Sequence, residues 1–214
     1  MDAIELETGR NPDAAVIWLH GLGADGHDFE PILPELALAR PVRFIFPHAP
    51  VRPVTINAGM RMRAWYDIFQ LGGGAEDEAG VRASQRLVEA LIAREESRGI
   101  APAKIVLAGF SQGGAVALQT ALRHPERLAG ILALSTYLPL AGTLGEEASA
   151  ANARIPIFMA HGSFDEIIPI DRAQASRKRL EALGYAVQWH EYPMPHSLCA
   201  PEITEIAAFL TRVI

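Results

Sequence analysis

The chain has 214 residues, and half of them are hydrophobic, which is enough for the core of one domain and leaves little for a second. Its 19 basic and 25 acidic residues give a formal net charge of −6, and the sequence has no basic run. This balance argues against nucleic acid or an anionic membrane surface as a partner.

Cys199 is the single cysteine, so no disulfide forms within the chain and the fold does not need an oxidising compartment. Residues 1–10 are mixed and acidic, unlike a secretory signal. No apolar run approaches the roughly 20 residues that span a bilayer. We therefore expect a cytoplasmic protein with no integral membrane association.

Six short hydrophobic runs, bounded by glycine, proline or charged residues, predict β-strands. Five of them do not alternate between apolar and polar positions, which is typical of parallel strands buried on both faces. The runs cover residues 14–19, 42–46, 105–108, 131–134, 155–160 and, with alternation, 185–192.

Four helices are predicted from apolar periodicity, composition and stop signals, such as Gly99 after the first helix and Gly184 after the third. They cover residues 79–98, 113–123, 171–183 and 202–213. Strands alternate with helices, which predicts an α/β fold with a mostly parallel central sheet and helices on both faces. No repeat or linker divides the chain, so we expect a single domain over residues 1–214 without a cap domain.

Two long segments fit neither pattern. Residues 47–74 carry several prolines and end in three consecutive glycines, and residues 136–154 are small and polar. Long irregular segments are uncommon inside a compact domain and often belong to binding sites. For the first segment we favour a binding role over a surface insertion; for the second, both interpretations stay open.

The segment 109–113, Gly-Phe-Ser-Gln-Gly, follows a predicted strand and precedes a predicted helix. A serine on such a tight turn needs small residues two positions before and after it, because the backbones approach closely. The turn also places the hydroxyl at a helix N-terminus, where developing negative charge is favoured. The pattern predicts Ser111 as a nucleophile, with a plain glycine-rich turn as the alternative.

A serine nucleophile needs a base, and the base needs an orienting carboxylate. Among the seven histidines, His196 lies between the last predicted strand and the last helix. Asp165 lies in the loop after the preceding strand, so the chain order is Ser, Asp, His, which is one known order of catalytic triads. We predict Ser111, Asp165 and His196 as the catalytic residues; a turn or cap role is the alternative for Asp165.

A second glycine-rich segment, residues 20–26, directly follows the first predicted strand. Acyl transfer needs backbone N–H donors for its oxyanion, and glycines leave the backbone free to present them. We predict the N–H groups of Leu22 and Gln112 as these donors. A phosphate-binding loop is the alternative, but the segment lacks the Lys-Ser/Thr pair and the full glycine pattern of such loops.

The sequence has no His-Glu-x-x-His motif and no paired cysteine and histidine ligands. The first is typical of catalytic zinc sites and the second of structural ones. We therefore expect no metal, and the predicted acyl transfer requires no cofactor.

These motifs resemble the bacterial carboxylesterases of the phospholipase/carboxylesterase family, a group in the α/β-hydrolase superfamily that includes acyl-protein thioesterases and lysophospholipases. The resemblance extends over nearly the whole chain. It is carried by residues 20–26, 46–50, 63–67, 109–114, 161–165 and the Met194/His196 pair.

The resemblance implies an α/β-hydrolase fold with the same triad and the same two N–H donors. It also implies that residues 55–60, with Trp65, border the substrate site, as in the bacterial esterases. The group often forms dimers, which leaves a homodimer open. Pro193 and Pro195 depart from the group, where glycine or another flexible residue is more common, so the mobility of the His196 loop is in question.

The predicted elements use up the chain, so we expect an open site or one covered only by residues 47–74. Candidate substrate-binding residues are Trp65, Phe110, Leu138 and Ile167, each of which could equally belong to the core. We expect hydrolysis of small-molecule carboxylic esters with short to medium acyl chains, through an acyl-enzyme. An acyl-protein thioesterase or lysophospholipase is the main alternative, and a non-catalytic binding protein is a remote one.

Overall fold

The computed structural model describes residues 1–70 and 74–214. The strands in these residues are β1 (Ala3–Glu7), β2 (Ala15–Leu19), β3 (Arg43–Pro47), β4 (Val51–Val54), β5 (Met60–Arg63), β6 (Ile105–Phe110), β7 (Gly130–Leu134), β8 (Ile157–Gly162) and β9 (Val187–Tyr192). The α-helices are α1 (Leu33–Leu36), α2 (Glu78–Ser97), α3 (Gln112–Arg123), α4 (Leu144–Glu147), α5 (Ile170–Ala182) and α6 (Ala200–Val213).

The main sheet has the strand order β1-β3-β2-β6-β7-β8-β9, and every neighbouring pair is parallel except β1 with β3. Leu19 pairs with Gly109, so the carboxyl ends of β2 and β6 lie side by side. The loops that follow these two strands therefore meet at one edge of the sheet, where ligands bind in open α/β folds. The predicted mostly parallel α/β architecture is confirmed.

Helices cover both faces of the sheet, as predicted. On one face, α2, α3 and α5 pack on the strands through residues such as Val88, Leu118 and Leu180. On the other face, α1 and α6 pack through residues such as Leu36 and Phe209. Each face thus has its own hydrophobic cluster, and the site loops project from the edge between them.

Three strands of the structure, β1, β4 and β5, are not predicted from the sequence patterns. β1 is a short antiparallel edge strand with a mixed burial pattern, so it has no continuous apolar run. β4 and β5 form a separate hairpin inside residues 47–74, where Pro53 and the arginines conceal the strand pattern. The glycine run of that segment lies mostly in residues 71–73, outside the described residues. Among the described residues, no helix is long and apolar enough to cross a membrane.

Candidate active site

Ser111 occupies the turn between β6 and α3 with φ of 55° and ψ of −123°, a conformation that strains a residue with a side chain. Two bonds hold it there. The Ser111 N–H donates to the Leu134 carbonyl at 2.8 Å, and the Thr136 hydroxyl donates to the Ser111 carbonyl at 2.6 Å. The end of β7 therefore holds the turn, and the serine stands at the N-terminus of α3.

Glycines on either side of Ser111 are required by close backbone contacts. A Cβ on Gly109 would lie 2.3 Å from the carbonyl carbon of Gly113, and a Cβ on Gly113 would lie 2.3 Å from the Leu19 carbonyl oxygen. The first turn of α3 is thus packed directly against the carboxyl end of β2. This contact brings Ser111 next to the segment 20–26.

The segment 20–26 runs along the serine turn. A Cβ on Gly21 would lie 3.5 Å from the Cβ of Ser111, an ordinary contact distance. Leu22, Ser111 and Gln112 line one cavity. Within the described residues, the N–H groups of Leu22 and Gln112 have no hydrogen-bond acceptor, so both are free to bind a ligand oxygen.

Trp65 joins the two glycine-rich segments and does not line the cavity. Its indole N–H donates to the His20 carbonyl at 2.9 Å, and its backbone N–H donates to the Gln112 side-chain oxygen at 2.8 Å. The Gln112 side-chain amide also donates to the Tyr66 carbonyl at 2.8 Å. Trp65 is fully buried, and its predicted contact with substrate stays a prediction.

Asp165 and His196 meet through a short contact, with 2.6 Å between Asp165 Oδ2 and His196 Nδ1. The other carboxylate oxygen accepts the N–H groups of Ile167 and Ile168 at 2.9 and 2.8 Å, which fixes the carboxylate. The His196 ring packs on Phe110, with 4.7 Å between the ring centroids. The imidazole is therefore held beside the serine turn, and its Nε2 has no hydrogen-bond partner among residues 1–70 and 74–214.

No hydrogen bond joins Ser111 to His196 in the part of the chain that the structure describes. Catalytic contacts of this type are often long without substrate and shorten when it binds. His161 adds support from behind, because its Nε2 lies 2.8 Å from the Ile168 carbonyl and 3.3 Å from Asp165 Oδ2. Burial lowers the pKa of His161, which favours the neutral form of this ring.

A cavity of about 270 Å³ opens beside Ser111. Of the predicted substrate-binding residues, Ile167 lines it, whereas Phe110 and Leu138 do not. Phe110 instead packs against Phe29 and His196, and Leu138 is buried with its N–H bonded to the Ser176 hydroxyl. Most of the exposed surface of the cavity is apolar, and its apolar lining residues include Leu22, Ile56, Ile68, Phe69, Ala75 and Ile168.

The polar lining residues that the sequence reasoning misses include Tyr66, Tyr137 and Arg172; four others, Asp67, Gln70, Glu76 and Asp77, also line the cavity. The two tyrosine hydroxyls lie 2.7 Å apart, and burial raises the pKa of Tyr66 well above its usual value. The Arg172 guanidinium carbon lies 3.4 Å from the centre of the Tyr137 ring. Tyr66 could have been found, since it lies in the irregular segment expected to border the site; no sequence signal marks Arg172.

Comparison with known proteins agrees with this geometry. A model of the family described as Phospholipase/Carboxylesterase matches residues 2–214. The chain is 42% identical to acyl-protein thioesterase 1 of Gibberella zeae, over 93% of this chain and 90% of that protein. It is also 42% identical to acyl-protein thioesterase 1 of Neurospora crassa, over 93% of this chain and 86% of that protein.

Solved structures show the same relationship. Arabidopsis thaliana SOBER1 has 31% sequence identity and a TM-score of 0.88, with 93% of this chain and 98% of that chain covered. Zea mays acyl-protein thioesterase 2 has 29% identity and a TM-score of 0.85, with 99% of both chains covered. The resemblance that the sequence motifs indicate is confirmed.

Proposed function

Because the chain belongs to the phospholipase/carboxylesterase family of hydrolases, we propose that it is a serine hydrolase acting on acyl thioesters. The observation that carries this proposal is the 42% identity, over 93% of the chain, with a protein named acyl-protein thioesterase 1. It favours the thioesterase alternative over the small-molecule carboxylesterase that the sequence alone favours.

The proposed reaction runs through an acyl-enzyme. The Ser111 hydroxyl attacks the carbonyl carbon, and His196 Nε2 takes its proton. Asp165, 2.6 Å from His196 Nδ1, holds the tautomer and stabilises the imidazolium. His196 then returns the proton to the departing sulfur, and water repeats the sequence to release the acid.

The oxyanion of each tetrahedral intermediate accepts hydrogen bonds from the N–H groups of Leu22 and Gln112. Support for this assignment comes from their position on the same cavity as Ser111 and from their lack of other acceptors within the described residues. Each such donor contributes on the order of 10²–10³ in rate. The apolar lining of the cavity suits the hydrocarbon chain of the acyl group.

A carboxylesterase for short acyl chains is the second candidate, and the size of the cavity favours it. Its volume of about 270 Å³ lies just below the range of about 300–1,000 Å³ that is usual for small-molecule sites. A long acyl chain would extend beyond this volume. Acyl length and the type of bond are therefore the two variables that separate the candidates.

The test uses two peptides of one sequence, acylated on cysteine in one and on serine in the other, each with C4, C8 and C16 chains. We expect a higher kcat/KM for the thioester at every length and no turnover by Ser111→Ala. A consistent preference for the serine oxoester with C4 chains would establish the carboxylesterase instead. Equal turnover by wild type and Ser111→Ala would reject both candidates.

A further inference from the structure

His20 is almost fully buried, and both of its ring nitrogens are engaged. The Ala49 N–H donates to Nε2 at 3.0 Å, so Nε2 carries no proton. Nδ1 lies 2.7 Å from the Gly21 carbonyl oxygen, which can only accept, so Nδ1 carries the proton and donates it. The two contacts together define one neutral tautomer, and burial supports it by lowering the pKa of His20.

The partner of this ring is one half of a peptide group whose other half is the Leu22 N–H. In a planar trans peptide the carbonyl and the N–H point in opposite directions. Since the ring holds the Gly21 carbonyl, it directs the Leu22 N–H away from His20. Leu22 itself lines the cavity beside Ser111, and its N–H has no acceptor in the described part of the chain.

We infer that His20 is a positioning residue: it orients the Gly21–Leu22 peptide so that the Leu22 N–H points at the substrate oxyanion. This inference rests on the proposed acyl transfer at Ser111. A second bond to the Gly21 carbonyl, from the Ala24 N–H, is longer at 3.4 Å and holds the peptide less firmly.

His20 is itself fixed by the elements around it. Its carbonyl accepts the Trp65 indole N–H at 2.9 Å, and the centres of the two rings lie 5.4 Å apart. The bond from Ala49 holds the far side of the imidazole. A rotation of the ring would break the contacts on both nitrogens at once, so the direction of the Gly21 carbonyl is set by a chain of buried contacts.

Two substitutions separate the contacts of the ring. In His20→Asn the amide nitrogen takes the place of Nδ1, so the donor to Gly21 is kept and the acceptor for Ala49 is lost. In His20→Gln the amide oxygen takes the place of Nε2, so the acceptor is kept and the donor is lost. Each variant removes one buried hydrogen bond, so the two are matched in their expected cost to stability.

We measure kcat and KM with p-nitrophenyl butyrate, and the inhibition constant of a trifluoromethyl ketone, which forms a tetrahedral oxyanion on the serine. The expected result is a fall in kcat of about 10–100-fold for His20→Gln at nearly constant KM, with a parallel rise in the inhibition constant. His20→Asn should stay within a few-fold of wild type. Equal losses in the two variants, or a larger loss in His20→Asn, would overturn the inference.

A measurement on the unsubstituted protein makes the conclusion independent of how the variants fold. Nitrogen chemical shifts of ¹⁵N-labelled histidine, at neutral pH, should show a protonated Nδ1 and an unprotonated Nε2 for His20. The opposite tautomer would overturn the inference. Labelling of wild-type Ser111 by a fluorophosphonate tests the proposed function separately: its failure would reject the acyl transfer, whereas labelling with equal variant losses would reject only the role of His20.

Discussion

The two sides of Ser111 are built in different ways. The central side, made of residues 20–26, residues 109–113 and Trp65, is held by backbone contacts that leave no room for a side chain at Gly109 or Gly113, and by hydrogen bonds of the Trp65 and Gln112 side chains. In the edge side, Asp165 and His196 are joined to each other by one side-chain contact of 2.6 Å. The comparison teaches that close backbone packing sets the chain path beside the groups proposed to bind the oxyanion, with buried side chains orienting single peptides within it, whereas the groups proposed to move the proton meet only through their side chains.

The edge side has backbone support of its own, which bears on the prolines near His196. A Cβ on Gly162 would lie 2.3 Å from the Met194 carbonyl oxygen, and the Phe164 N–H donates to that same oxygen at 3.1 Å. The loop with Pro193 and Pro195 is therefore packed on the end of β8. These contacts fix the backbone of the loop, whereas the distance from the imidazole to Ser111 depends on the conformation of the His196 side chain.

Asp165→Asn should have the largest effect on activity, because it replaces the carboxylate that accepts from His196 Nδ1. The new amide can donate to His196 Nδ1 and so favour the wrong tautomer. We expect kcat to fall about 10⁴-fold, measured with p-nitrophenyl butyrate. The neighbouring Glu166→Gln makes the same charge change, and an equal loss there would show that net charge, not the contact, is responsible.

Gly113→Ala tests the central side through stability. Although alanine favours a helix over glycine by about 1 kcal/mol, its Cβ would meet the Leu19 carbonyl at 2.3 Å. We expect the free energy of unfolding, from urea titration, to fall by about 3 kcal/mol or more. Gly142→Ala is the matched control, since a Cβ there meets nothing within 4 Å; similar losses at both positions would refute the close contact.

Glu202→Gln tests the buried carboxyl group of Glu202, which lies in the first turn of α6, the helix that follows the His196 loop. Glu202 is buried, and neither of its carboxylate oxygens makes a well-formed hydrogen bond within the described residues. Burial raises its pKa to about 8 and outweighs the opposing effect of the Cys199 backbone N–H. Since the folded state prefers the protonated form, stability is lost as the pH rises from about 4.5 through 8. The variant should therefore unfold with a free energy about 2–4 kcal/mol above wild type at pH 9, and with none of this gain at pH 4.

Urea titrations from pH 4 to 9 measure this difference. Glu205→Gln makes the same charge change on the same helix and serves as the control. A pH profile for Glu202→Gln that runs parallel to the wild-type profile would contradict the assigned role of burial.

Gln112→Met has the smallest expected effect and bears on the link between the two glycine-rich segments. It removes the bonds to Trp65 and Tyr66 while the backbone N–H of residue 112 remains. We expect kcat to fall about tenfold, because the segments lose their shared support. Gln119→Met removes a side-chain bond from the same helix away from the site, so an equal fall in kcat there would contradict the prediction.

The sequence predicts the parts of this molecule that depend on steric necessity. A serine at the end of a buried strand requires Gly109 and Gly113, so the turn is visible in the sequence, and its chain order leads to Asp165 and His196. The buried strands are visible for a similar reason: residues with both faces covered must be apolar.

The lining of the cavity is not predictable in this way. Side chains in loops follow no period, so Trp65 and Leu138 are one residue away from the lining residues Tyr66 and Tyr137. The hairpin of β4 and β5 is also not visible in the sequence. It lies outside the main sheet and buries few of its side chains, so its strands show no hydrophobic pattern. Tertiary contacts alone decide these features.

The mouth of the cavity carries Phe69 and Ile167, whose surfaces are 43% and 48% exposed. A substrate can therefore insert its acyl end while the rest of the molecule stays in solvent. The specificity of the proposed enzyme would then depend on the acyl group that it removes and not on the molecule that carries this group. The requirement on a carrier is that its acyl group extends far enough from the surface to pass these two side chains.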